Sequence, residues 1–97
     1  MTKVIVTRRA TTELDRLIRT HSLPESTRTR VREAIRPLGS YPLLGVQAGP
    51  AERGARYILG PWRWMLIVYW FDADIDRVDV LSIEDARRGD SVTAHRG

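Results

Sequence analysis

The run Gly60-Pro61-Trp62-Arg63-Trp64-Met65-Leu66-Ile67-Val68-Tyr69-Trp70-Phe71 limits what this chain can fold into more than any other stretch. From Trp62 on it is mostly aromatic and branched aliphatic. After the acidic turn Asp72-Ala73-Asp74-Ile75-Asp76 a second β-type run follows, Val78-Asp79-Val80-Leu81-Ser82-Ile83. Two such runs joined by a polar turn predict an antiparallel hairpin. Period-two geometry puts Trp64, Leu66, Val68 and Trp70 on one face and Arg63, Met65, Ile67, Tyr69 and Phe71 on the other. One face is expected to pack on helices and the other to stay partly exposed. An exposed aromatic face can stack bases or receive a partner's helix, whereas a covered one completes the core. Arginines stand at the open ends of the hairpin, and guanidinium groups on a stiff sheet suit phosphate contacts.

Upstream, Val4-Ile5-Val6 predicts a short first strand. Thr11 or Thr12 is the expected cap of a first helix running to about Thr20, with Leu14, Leu17 and Ile18 as its apolar stripe. Ser22-Leu23-Pro24-Glu25 has capping-box spacing, and Leu23, Val31, Ala34, Ile35 and Leu38 fall on one face of a second helix ending near Arg36 to Leu38. So short a connection predicts an antiparallel helix hairpin. Residues 45 to 54, rich in glycine, read as a mobile loop leading to a strand Arg56-Tyr57-Ile58-Leu59, a turn at Gly60-Pro61, a long strand Trp62 to Phe71 and a last strand from about Arg77 to Glu84. The expected fold is α+β: an N-terminal strand, an antiparallel two-helix hairpin, then a three-strand antiparallel meander, forming one sheet packed on the helices. Residues 1 to 88 form its single domain, and Gly89 to Gly97 is expected to be a flexible tail.

Charge is placed unevenly. Residues 1 to 63 carry 12 basic and 5 acidic side chains, and residues 64 to 97 carry 4 and 7. Fifteen of the 16 basic residues are arginine, so the first two-thirds should attract a polyanion, be it RNA, DNA or an acidic polypeptide. On the second helix Arg28, Arg32 and Arg36 recur every four residues as one cationic ridge, with Arg30 nearby. It reads as a solvated outer face or as a contact for nucleic-acid phosphates or an acidic segment. With no cysteine there is no disulfide or thiolate metal site, and His21 and His95 lack metal-ligand spacing, so no metal or cofactor is expected and both histidines read as bland. The opening apolar stretch is too short for a signal peptide, and no segment reaches the roughly 18 apolar residues of a membrane span. A cytoplasmic protein with no membrane partner is the expectation.

The pattern of Ala10, Leu14 and Ile18 on a first helix, Ala34, Ile35 and Leu38 before Tyr41-Pro42 and Gly45, and an arginine-aromatic strand pair ending in Arg87-Arg88 resembles the RelE/ParE superfamily of toxins from bacterial type II toxin-antitoxin modules. The resemblance spans about residues 3 to 88 and rests on element order and length. It implies a cognate antitoxin protein as partner and one of two targets. RelE-like members cut messenger RNA in the ribosomal decoding site, and ParE-like members poison DNA gyrase.

Cleavage of RNA by its own 2′-hydroxyl needs in-line positioning, stabilisation of charge on the phosphoryl oxygens and help with proton transfer. By resemblance Arg56 and Arg63 stand where RelE-like enzymes place basic residues, and Arg87 or Arg88 stands at the arginine position after the last strand. Registering Tyr69 and Ser82 on the family's last two strands puts Leu66 at the family's catalytic arginine, so Arg63 takes that role only with a shifted register. The lysine pair of the second strand is absent, and Val92 and Thr93 occupy the region of the C-terminal tyrosine. An arginine stays protonated and cannot accept the proton, which leaves Tyr57, Tyr69 and Glu84 as candidates. The expected activity is ribosome-dependent mRNA cleavage. The alternatives are a gyrase poison and a non-catalytic basic RNA- or protein-binding module.

Overall fold

The structure is a computed structural model that describes residues 1–49 and 54–88. The order of elements is β1 (Lys3–Val6), α1 (Arg8–Thr20), α2 (Thr27–Ile35), a 3-10 turn (Arg36–Gly39), β2 (Val46–Gln47), β3 (Ala55–Leu59), β4 (Met65–Asp72) and β5 (Arg77–Asp85). The five strands form one sheet in the order β1-β5-β4-β3-β2. The meander β3-β4-β5 is antiparallel as expected, while β1 pairs with β5 in parallel, so the sheet is mixed. A parallel pair needs a crossover, and the α1–α2 segment supplies it.

Both helix starts depart from the expected caps. Thr7, not Thr11 or Thr12, caps α1. It sits directly at the end of β1, accepts from the Ala10 amide at 3.2 Å and donates to the Val80 carbonyl at 2.8 Å, locking strand to helix. Ser22 does not cap α2. It adopts a left-handed φ of 50°, which lets the Leu23 amide bond the Ile18 carbonyl at 3.0 Å and close α1. The capping-box serine is therefore spent on ending one helix, and α2 begins only at Thr27, after Ser26, which makes no side-chain cap bond. The end of α2 lies where proline predicts it.

The expected loop over residues 45 to 54 contains a strand. Val46 and Gln47 pair with Tyr57 and Arg56, and the four residues 50 to 53 lie outside the described part, as does the expected tail Gly89 to Gly97. What anchors this edge is Gly45, whose amide donates to the Tyr69 hydroxyl at 2.8 Å. A Cβ at Gly45 would come within 2.7 Å of the Tyr57 carbonyl oxygen and 2.8 Å of the Tyr69 ring, so only glycine fits.

The long strand starts three residues later than expected, at Met65, because Trp62-Arg63-Trp64 belongs to a turn closed by Gly60 N–H to Met65 O and Met65 N–H to Trp62 O, both 2.9 Å. From there the predicted alternation holds. Met65, Ile67 and Tyr69 are fully buried against Ala10, Leu14 and Leu17 of α1, Val31 and Ile35 of α2, Leu38, and Val78, Val80 and Ile83 of β5. This one cluster forms the core between sheet and helices. On the opposite face Leu66 and Val68 are also buried, but Trp70 is 41% exposed and Leu59 51%.

Candidate functional site

The turn before β4 sets the first candidate site. A hydrogen bond of 2.6 Å from the Ala86 amide to the Trp64 carbonyl ties this turn to the end of β5. Trp62, Trp64 and the residues after β5 are thereby brought to one end of the sheet. The His21 ring stacks on Trp64 at 4.8 Å and 18°, and the Arg87 guanidinium lies 4.5 Å from the Trp64 centroid. Trp62 stacks at 6.2 Å from Trp64, and Arg30 of α2 covers Trp62 at 5.0 Å. Each cation over an indole contributes on the order of 1 kcal/mol, so the group is held by more than its burial.

Asp85 organises this group. Its carboxylate, 7% exposed, takes both Nε and Nη2 of Arg87 at 2.9 Å, the Arg87 backbone amide at 2.9 Å, and His21 Nε2 at 3.2 Å. The hydrogen bonds from Arg87, working against burial, hold the Asp85 carboxyl down to about 2. The same ion pair raises the Arg87 guanidinium above its ordinary value. His21 Nδ1 faces the Leu17 carbonyl at 3.3 Å and the Thr20 hydroxyl at 3.0 Å.

The four arginines expected to act together do not converge as a set. Arg63, at the tip of the turn, is exposed next to Trp64. Arg87 is at the same sheet end but in its bidentate pair with Asp85. Arg88, exposed, lines with Arg9, Glu13, Arg16 and Glu84 an open cavity of about 180 Å³ beside α1. Its floor is the edge of β5 beyond the reach of β1, where Glu13 accepts from the Ile83 amide at 3.0 Å. Arg56 stands apart. Its Nη1 donates to the Gly45 carbonyl at 2.8 Å, bracing the β2 edge together with Tyr69. Burial pushes the Tyr69 phenol up, and its hydroxyl oxygen is taken by Gly45. Tyr69 is thus a buried brace rather than a proton acceptor. Tyr57 and Glu84 lie on the helix-free face, flanking Val68 and Leu66 respectively, with Glu84 accepting from the Ser82 hydroxyl at 2.8 Å.

A second candidate surface lies between α1, α2 and β1. A groove of about 570 Å³ is floored by Val4, Val6, Leu14, Val31 and Ile35 and edged by Arg28, Arg32 and Arg36. The predicted cationic ridge is therefore the rim of an apolar groove. Arg28 pairs with Asp15 across it at 2.6 Å. Among the described residues no helix is long and apolar enough to cross a membrane, and no cluster of three or more histidines and carboxylates could hold a metal.

Sequence reasoning missed the parts that His21 and Asp85 play. His21 looks bland in the sequence because its partners Trp64 and Asp85 lie in the turn before β4 and at the end of β5, more than 40 residues away. The spacing Trp62-Arg63-Trp64 is the local signal of a cation-aromatic cluster.

No family model matches the chain, and no curated protein matches it. Solved structures do. A chain of the chromosomal ParDE TA system from P. aeruginosa superposes with a TM-score of 0.69 at 15% identity, over 90% of this chain and 98% of that one. A chain of the intact E. coli RelBE toxin-antitoxin complex superposes with a TM-score of 0.65 at 16% identity, over 91% and 100%. The described strands, helices and crossover thus share the fold of those two chains.

Proposed function

We propose that this chain is the toxin subunit of a type II toxin-antitoxin module, neutralised by an antitoxin protein and acting, once free, by ribosome-dependent cleavage of mRNA. The likeness along the whole of two chains from toxin-antitoxin complexes supports the module. The groove supports the partner: an apolar floor with an arginine rim suits an amphipathic segment carrying carboxylates. The observation that carries the activity is the sheet end, where Arg63 and Arg87 sit with Trp62 and Trp64. Cations interleaved with aromatic rings suit single-stranded RNA.

Induction of the chain alone should arrest growth, and co-expression of the adjacent reading frame should relieve it. Val6→Asp, at a 44% exposed groove position, should leave toxicity intact and abolish that relief. Alanine at Arg63, and at Arg87 with Arg88, should relieve arrest while circular dichroism shows an intact fold. Full toxicity of these variants would remove the sheet end from the mechanism.

One observation favours a second reading, a gyrase poison that binds without RNA chemistry. Arg56 and Tyr69, two residues with counterparts in the RNA-cleaving reading, are committed to bracing Gly45. Gyrase supercoiling and ribosome-primed mRNA cleavage, run side by side with the purified protein, separate the two. A protein that affects neither assay and leaves growth unimpaired is instead a basic binding module.

A further inference from the structure

We propose that Asp85 and His21 are positioning residues for Arg87, fixing its guanidinium on the face of Trp64 so that the donors left over take a phosphate of single-stranded RNA. The inference rests on the reading above in which Arg87 contacts RNA.

A guanidinium carries five N–H donors in a rigid plane. Asp85 takes Nε–H and one hydrogen of Nη2, each at 2.9 Å, so among the described residues three donors remain, two on Nη1 and one on Nη2. The Arg87 side chain is 57% exposed while Asp85 is 7% exposed, so the pair has its carboxylate inside and its arginine at the surface. Trp64, 4.5 Å from the guanidinium carbon, restrains the plane itself. A free arginine on the surface would lose roughly 2 kcal/mol of rotamer freedom on gripping a phosphate, whereas one already forked onto a carboxylate and stacked on an indole has lost most of it beforehand.

His21 serves Asp85 in turn. Its Nε2 meets Oδ2 of the carboxylate, the same oxygen that takes Nη2 of Arg87, and its ring shares Trp64 with the guanidinium. Nδ1, against the Leu17 carbonyl at the end of α1, sets the ring's rotation. A helix end, a strand end and the turn before β4 therefore meet on one side chain. The opposite effect is also physical: a carboxylate cancels the charge that would attract phosphate. Preorganisation and neutralisation predict opposite signs for removal of the carboxylate, which makes the proposal testable.

The probe is a fluorescein-labelled single-stranded oligouridylate, titrated with the full chain between 50 and 200 mM salt. Arg87→Ala should weaken binding about tenfold and lower the salt slope by about 0.7, the share of one phosphate contact on a single strand. Asp85→Asn should weaken it about threefold to tenfold, and adding Asp85→Asn to Arg87→Ala should cost nothing further, because the two act as one unit. His21→Ala should weaken it about twofold, again only while Arg87 is present. A merely structural Asp85 would instead add its loss to that of Arg87→Ala. If Arg87→Ala binds like the wild type, the reading of Arg87 as an RNA contact is wrong. If Arg87→Ala is weak but Asp85→Asn binds equally or more tightly, that reading stands and the positioning role is overturned in favour of charge masking. If Asp85→Asn fails to fold, the wild-type protein still decides: the Arg87 Nε–H resonance should be resolved, slow to exchange, and shifted by the oligonucleotide. A rapidly exchanging signal overturns the proposal.

Discussion

The groove under α2 and the sheet end beside it are both edged with arginine, and they hold it in different ways. In the groove Arg28 and Arg32 of α2 and Arg36 of the following 3-10 turn are exposed side chains over a floor of Val4, Val6, Leu14, Val31 and Ile35. Their charges are screened by solvent and their geometry is loose, so they select for the sign of a partner rather than its shape. At the sheet end Arg30 and Arg87 are laid on indole rings, and Arg87 is forked onto a carboxylate that is almost fully buried. A single helix, α2, contributes to both, with Arg30 turned to Trp62 and Arg28 and Arg32 turned to the groove. The lesson is that charge density alone does not distinguish a docking rim from a built site. What distinguishes them is whether the counter-groups are buried.

Stability measurements separate the two regions. Leu14, in the groove floor and 8% exposed, belongs to the main core, so Leu14→Ala should lower the unfolding free energy by about 2 to 4 kcal/mol in urea titration. Trp64, only partly buried, should cost less, about 1 to 2 kcal/mol on replacement by alanine. Equal losses would mean that the sheet end is part of the core and not a site set upon it.

Acid sharpens the contrast. The Asp85 carboxyl has a folded value near 2 against an ordinary 3.8, so the folded state favours its charged form. The resulting stability is fully present above about pH 4 and is lost as pH falls through the folded value, a loss on the order of 1 to 2 kcal/mol. Unfolding midpoints followed by tryptophan fluorescence from pH 5 to pH 2 should show this fall, and Asp85→Asn should flatten it. At the groove, Arg28→Ala removes an ion pair whose members are 53% and 43% exposed. It should change stability by less than about 0.5 kcal/mol, and 0.5 M salt should erase even that.

Much of the fold could be read from local pattern. The β4 alternation of Met65, Ile67 and Tyr69, the stripe of Leu14, Leu17 and Ile18, and the stop at Pro37 each follow from period and backbone restriction within a few residues. The misplaced elements share a cause. Thr7 and Thr11 are equally good caps on local grounds, and the Val80 carbonyl, 73 residues away, decides between them. Ser22 has a capping-box sequence, but ending α1 there required its left-handed backbone. Val46-Gln47 becomes a strand only because Gly45 admits the Tyr69 ring and Arg56 braces the turn.

The candidate site was legible as residue types and not as a constellation. Arginines at the strand ends and the paired tryptophans were visible; that Asp85 would claim Arg87, that His21 would join them, and that Arg56 would be drawn away to Gly45 were not. An α+β chain with a cationic second helix and an aromatic strand follows from local pattern, because periodicity and charge are properties of neighbours along the chain. Only the tertiary structure decided which arginines are braced, which are forked and which are left to solvent. A guanidinium's role depends on the carboxylates, carbonyls and rings that folding brings within about 5 Å, and those lie in distant parts of the chain.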